Sequence, residues 1–355
     1  MNDRLAELLL AKVMNWEPDK LAEERFQIQL FADVKYDNYQ KYSQGMRYVE
    51  SLALWLNNFD ADDRDTLYDF IKKELVFISE LQMRNLVEMV YPFYVSPQIL
   101  EKAISVCKEK KITDKDKKKE IYEALIRKTL FLGLSDGSHI DLFRRANPSL
   151  SHEQINVYYD VSKGKIHDMI NEMPSLSEMN NGISCIYLLD DFSGSGISFI
   201  RKEDAEWKGK IVKFLKRLQD YDVDTKNIDM SLFIYVSTEE SINYIAQKLD
   251  EYKDEYKIQA DYSVNAIQLV AKRCYEENIY NLLKKYYDKF NMSQIEDVHY
   301  KKGSCVAPYL GFNSSGFPLV IFHNTPNNAL PIIWFSGEEY SGLFPRVTRH
   351  KEADK

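Results

Sequence analysis

The stretch of this chain best equipped for chemistry is Asp190-Asp191-Phe192-Ser193-Gly194-Ser195-Gly196-Ile197-Ser198. Two adjacent carboxylates follow the apolar run Ile183–Leu189, and a loop of small residues comes next. Two acids ending a buried strand are costly unless something uses them. Carboxylates accept hydrogen bonds from vicinal hydroxyls. Small residues let backbone N–H groups close on an anion, and a helix starting near Ile197, with Ser195 or Ser198 near its N-cap, would aim more donors at it. The hydroxyls of Ser193, Ser195 and Ser198 add further donors. Together the two halves suit a sugar phosphate, with the diol on the acids and the phosphate in the loop. The plainer alternative is a capped strand–helix turn that binds nothing.

Other loop chemistries fit less well. A Walker loop needs Gly-Lys-Ser/Thr, and Ile197 stands where the lysine belongs. A dinucleotide fingerprint follows its strand with no acids between, and Phe199 breaks the GxGxxG spacing. A nucleophile elbow needs GxSxG, and position 193 is serine. His139, His152, His167, His299 and His350 show no HExxH or i,i+4 pair, so no metal set is expected from them. Asp60, Asp62, Asp63 and Asp65 lack an EF-hand pattern and read as the acidic start of a helix.

Two more segments carry polar groups after apolar runs. Thr129–Leu134 leads into the turn Ser135-Asp136-Gly137-Ser138, with Arg144 and Arg145 on the next helix. Phe317–His323 leads into Asn324-Thr325-Pro326-Asn327-Asn328, followed by Trp334 and, later, Arg346. A loop with this many amides can read a base edge or a second substrate, with Trp334 packed beside it and Arg346 available for an anion. Asn-Pro turn chemistry that closes a sheet is the simpler account of the same residues.

These loops need a scaffold, and the hydrophobic pattern supplies one. Residues 1–125 read as a helical region. Leu5, Leu8, Leu9 and Val13 recur at helical spacing, as do Met46, Val49, Leu52, Ala53 and Leu56, and further helices fit 63–75, 76–91, 96–110 and 114–128, the last capped by Thr113. From 126 to 355 apolar strands alternate with helices: strands at Thr129–Leu134, Ile183–Leu189, Ser231–Val236, Lys257–Tyr262 and Phe317–His323, helices at 139–146, 151–160, 163–173, 205–220, 238–254 and 275–290. That alternation predicts an α/β fold with a parallel sheet flanked by helices, preceded by the helical region, and it puts function at the carboxyl ends of the strands.

Composition narrows the class. Apolar residues make up 45% of 355, enough for a substantial core, and Gly (13) and Pro (10) are too scarce for a disordered chain. The net charge of −8 gives no bulk support for binding a phosphate backbone. Cys107, Cys185, Cys274 and Cys305 are far apart, with neither a disulfide framework nor zinc spacing. No leader pattern and no run of about 18 apolar residues occurs, so a cytoplasmic location without membrane contact is expected.

Residues 186–198 resemble the phosphoribosyl-diphosphate (PRPP) signature of type I phosphoribosyltransferases: an apolar strand, two acids, two variable residues, then small residues ending in Ser/Thr. The resemblance implies that Asp190 and Asp191 hold the ribose 2′- and 3′-hydroxyls and that Ser193, Gly194, Ser195, Gly196, Ile197 and Ser198 cradle the 5′-phosphate. It also implies that Ser135, Asp136, Gly137 and Ser138 form the diphosphate loop, helped by Arg144 and Arg145, with Mg²⁺ accompanying the diphosphate. Some members carry a carboxylate at the position of Gly194 that serves as a base on a purine; its absence argues against purine salvage. Taken with the His323–Trp334 segment, the pattern over about 125–346 is similar to phosphoribosyltransferase-like domains of bacterial conflict systems, some of which accompany retron reverse transcriptases in phage defence. That likeness implies a toxin or effector acting at the anomeric carbon of PRPP or a nucleotide. The alternative it leaves open is a catalytically inactive nucleotide sensor that controls a partner. A third role, docking of residues 1–125 on a reverse transcriptase or its nucleic acid, would be traced by Phe31, Tyr36, Tyr39, Tyr42 and Tyr48, for which ordinary helix packing is the simpler account.

Overall fold

A computed structural model describes residues 2–158, 161–223, 225, 228–296, 300 and 305–346. His299, His350 and the last two residues of the helix expected at 151–160 lie outside the described residues. The chain divides into two compact units, and the division does not follow the boundary expected at 125/126. One unit is the continuous segment Met83–Ala271; the other combines Met1–Gln82 with Lys272–Lys355.

The continuous unit is an α/β domain around a five-stranded sheet: β1 (Thr129–Gly133), β2 (Ile155–Val157), β3 (Cys185–Ser193), β4 (Asp229–Ser237) and β5 (Tyr262–Leu269). Every neighbouring pair is parallel and the order is β2-β1-β3-β4-β5. The three middle strands are apolar on consecutive residues because both faces are covered. On one face Leu130, Leu132, Ile186, Leu188, Leu232 and Ile234 pack with Ile211 and Leu215 of the helix Lys210–Asp220 and Ile245 and Leu249 of the helix Glu239–Tyr256. Burying each such side chain contributes about 1.5–3 kcal/mol. On the other face Phe131, Tyr187 and Phe233 make a ladder of rings across three strands, 5.5 and 5.8 Å between centroids, with Tyr91 and Tyr94 set against its ends.

Several expected elements move. Residues 151–158 do not form a helix: a single 3-10 turn, His152–Gln154, leads into the edge strand β2. The strand expected at 257–262 begins only at Tyr262, because the preceding helix continues to Tyr256 and ends on Lys257 in a left-handed conformation. The cap of the helix Lys115–Arg127 is Asp114, which accepts from the Lys117 N–H, and not Thr113.

The second unit is mainly helical, with Asp3–Met14, Pro18–Val34, Tyr48–Asn57, Ala61–Glu74 and Glu277–Lys289. The apolar run at 317–323 contributes only the short strand Leu319–Ile321, which pairs in parallel with Val76–Ile78 and takes no part in the five-stranded sheet. Tyr36, Tyr39, Tyr42 and Tyr48 pack with Phe344 inside this unit, and Tyr36 also meets Phe31 and Phe77, so the aromatic-rich stretch is core. Asp60 and Asp63 pair with Lys285, and Asp60 also with Lys289, on the helix Glu277–Lys289.

Candidate functional site

The strand order places the site. After β1 the chain crosses to β2 on one side, then returns to β3 on the other, so the direction of winding reverses between β1 and β3. Ligands of open α/β sheets bind outside the carboxyl ends of strands at such a point. Here the loop Ser135–Ser138 follows β1, and Asp190 and Asp191 lie near the end of β3.

The two strand ends are tied together. The Ser135 hydroxyl donates to Asp190 Oδ1, and the Lys210 ammonium pairs with Asp190 Oδ2. Asp190 is fully buried. Burial pushes its carboxyl above the ordinary carboxylate range, to about 6; the Lys210 charge opposes the shift and Asp191 adds to it. Asp191 is half-buried, and its carboxylate stands against Gly137: a Cβ on Gly137 would lie 2.5 Å from Asp191 Oδ2. The pair of acids therefore divides its work. Asp190 is an internal anchor with both oxygens engaged, while Asp191 lies against the Ser135–Ser138 loop.

The small-residue loop is braced from behind. Ser193 and Ser241 share a hydrogen bond of 2.6 Å between their hydroxyls, and the Gly196 N–H donates to Ser193 Oγ. Thr238 Oγ1 donates to the Gly194 carbonyl, and Ser237 Oγ to that of Ser193. Ser193 is thus spent on holding the loop, while Ser195 is partly and Ser198 largely exposed. Gly196 has φ +76°, and a Cβ there would come within 2.8 Å of Ile245 and Tyr244. Within this braced loop the N–H groups of Gly194, Ser195, Ile197 and Ser198 donate to no acceptor among the described residues. Successive free amides of this kind form a concavity suited to an anion.

No helix begins at Ile197. A turn, with the Phe199 N–H on the Gly196 carbonyl, leads to the hairpin Arg201–Glu203/Glu206–Lys208, and the next helix starts at Lys210. The chain closes back on itself at Gly209, φ +122°, where a Cβ would lie 2.3 Å from the Phe199 carbonyl oxygen. That close approach lets the Lys210 N–H donate to Ser198 O, and it brings the ammonium 4.9 Å over the Phe199 ring and onto Asp190. Lys210 escaped the sequence reading. Its one signal is position: a lysine in the first turn of a helix sits against the macrodipole and needs an anion nearby.

The remaining candidates fall elsewhere. Ser138 turns its buried hydroxyl over Gly133, and its carbonyl accepts from Tyr235. Arg144 donates to the Ile155 carbonyl and Arg145 pairs with Asp141, so neither guanidinium is committed to the Ser135–Ser138 loop. His323, Asn324, Thr325, Asn327, Asn328, Trp334 and Arg346 belong to the other unit. There Thr325 Oγ1 donates to Phe344 O and shares a hydrogen bond with the Tyr39 hydroxyl. Asn328 Nδ2 donates to Phe312 O and Ser315 Oγ, and Trp334 Nε1 to Ala329 O. Arg346 lies over the Trp334 ring at 5.5 Å. These polar groups largely hold their own unit's loops together.

Among the described residues no group of three or more His, Cys, Asp or Glu side chains could hold a metal ion. Mg²⁺ seldom needs such a cage; one or two carboxylates plus substrate phosphates suffice. Asp136, after β1, and Asp191, near the end of β3, carry hard oxygen donors of that kind.

A helix-flanked parallel sheet with paired loops at its switch point defines a phosphoribosyltransferase-like α/β domain. The chain belongs to the PRTase-CE family, which it matches over residues 52–346. No curated protein and no solved structure matches it. Among the described residues no helix is long and apolar enough to cross a membrane.

Proposed function

We propose that the protein binds a ribose 5-phosphate group, as PRPP or as a nucleotide, beside the carboxyl ends of β1 and β3 and acts at the anomeric carbon. The observation that carries this reading is the set of free amides at Gly194, Ser195, Ile197 and Ser198 in the loop that follows the strand carrying Asp191. The amides receive the 5′-phosphate and Asp191 accepts from the sugar hydroxyls. Ser135 and Gly137 line the diphosphate, and Asp136 and Asp191 would hold the Mg²⁺ that accompanies it, which would supply neutralisation of the diphosphate charge. In the transfer, an acceptor atom bonds to the anomeric carbon, the C–O bond to diphosphate breaks, and diphosphate leaves with the bonding pair. Positioning and electrostatics supply most of the rate. The biological setting we propose is a cytoplasmic antiphage effector, alongside a partner such as a reverse transcriptase or its nucleic acid.

One observation favours a second reading, a nucleotide sensor without turnover: both Asp190 oxygens are already engaged, which leaves one acid for the sugar. Mass spectrometry of PRPP and a nucleotide mixture, incubated with protein and Mg²⁺, separates the two. New ribosylated product or released diphosphate, lost in Asp191→Asn, supports transfer. Thermal stabilisation by ligand with no product supports the sensor. Neither product nor stabilisation would reject both.

A further inference from the structure

The two edges of the five-stranded sheet differ. β2 has three residues, whereas β5 has eight, Tyr262 to Leu269. Met230 lies opposite Tyr262 and its N–H donates to Asp261 O, so in this parallel pair Tyr262, Val264, Ala266 and Gln268 turn their N–H and C=O groups away from β4. None of those outward groups has a hydrogen-bond partner among the described residues. Residues 262–268 are partly exposed and Leu269 is 57% exposed. Natural edge strands of this length are blunted by lysine, proline, a bulge or a covering segment. β5 contains no charged residue and no proline.

Charge is instead placed just beyond its ends, with opposite signs. Asp261 precedes the strand and Lys272 follows it by three residues; both are exposed and neither makes an ion pair among the described residues. A strand that is acidic at its start and basic past its end is complementary to itself when reversed. An antiparallel copy sets the Asp261 end of one chain beside the Lys272 end of the other, twice over. A parallel neighbour would set like charges together.

We propose that β5 is the self-association surface of this protein, pairing antiparallel with β5 of a second copy across a two-fold axis to give one continuous sheet. The pairing is isologous, so it closes at two copies and does not propagate. Backbone hydrogen bonds supply the affinity, as in other strand-addition interfaces, and the terminal charges fix the direction.

The test is the mass of the full chain in solution by sedimentation or light scattering. The expected mass is about twice 41.7 kDa at micromolar concentration. Ala266→Pro deletes one outward N–H, a change an edge strand tolerates, and is expected to give a folded monomer. Should that variant lose its circular dichroism, the decision passes to exposed charges. Asp261→Lys is expected to weaken association about tenfold, and Asp261→Lys with Lys272→Asp to restore it. A wild-type chain that stays monomeric overturns the proposal. So does a dimer unmoved by Asp261→Lys, or one that survives in a folded Ala266→Pro chain; a monomer that captures an extended peptide from another protein would assign the edge to that partner instead.

Discussion

Ser135 and Asp190, 55 residues apart in sequence, are joined by a hydrogen bond from the Ser135 hydroxyl to the Asp190 carboxylate. The bond crosses from the loop after β1 to the end of β3, so the two halves of the candidate site are one mechanical piece. Asp190 completes the piece by taking Lys210 on its other oxygen.

Lys210→Ala removes the charge facing a fully buried carboxylate. We expect a loss of about 2–4 kcal/mol, below the upper figures for buried pairs because the Lys210 side chain is 30% exposed. Asp190→Asn combined with Lys210→Ala should cost less than Lys210→Ala alone. Urea unfolding of the two single variants and the double closes the cycle; strictly additive losses would show that the two groups do not interact.

Gly137→Ala puts a methyl group 2.5 Å from Asp191 Oδ2. The carboxylate must move while the backbone stays, since Gly137 needs no left-handed angle. Stability should change by less than about 1 kcal/mol, and affinity for ribose 5-phosphate should fall about tenfold or more. Calorimetric titration reads the second number and thermal melting the first. Unchanged affinity in the folded variant would remove Asp191 from the binding site.

Gly196→Ala has the opposite signature. A left-handed angle and 2.8 Å contacts with Ile245 and Tyr244 both oppose a side chain there. The expected cost is about 2–4 kcal/mol, about 1 from the backbone and the rest from overpacking. A shift of the urea midpoint is the measurement, and a variant as stable as wild type would mean that the loop relaxes freely.

Glu24 makes acid stability measurable. Its side chain is 8% exposed and accepts from Lys72 at 2.6 Å and Tyr68 at 2.8 Å, with Lys20 at 3.0 Å. Burial pushes its carboxyl up, but the bonds from Lys72, Lys20 and Tyr68 outweigh burial and hold it at about 2. A folded-state value below the unfolded one gives stability that is complete above pH about 4.5 and is lost as pH falls through about 2. Glu24→Gln should be less stable by about 2 kcal/mol at pH 7 and equal to wild type near pH 2. Chemical denaturation at both pH values decides it; equal gaps at the two would show the loss is not carboxylate ionisation.

The legible parts of this chain were those where burial is strongest. β1, β3 and β4 are covered on both faces, so their runs of apolar residues announce strands, and Asp190-Asp191 stands out at the end of one of them. β5 hid because it is an edge: Ser263, Asn265 and Gln268 interrupt its apolar pattern, and the continuous run a buried strand shows is missing. β2 hid because three residues carry too little pattern. The helix expected at Ile197 failed on local geometry, since Gly196 and Gly209 fold the chain into a turn and a hairpin first. Lys210 could not be paired with Asp190 from spacing, because that hairpin is what brings it back.

Val76–Ile78 pairs with Leu319–Ile321, while everything needed for the parallel sheet lies between them. Synthesis on the ribosome therefore delivers the whole α/β unit before the segment that completes the first strand pair exists. Helices 3–14 to 61–74 must wait, in the company of chaperones or of one another, for a partner more than 200 residues downstream. A released chain ending at Ala271 would present a finished sheet attached to an unfinished neighbour, and limited proteolysis of that chain should cut the early helices and spare the sheet.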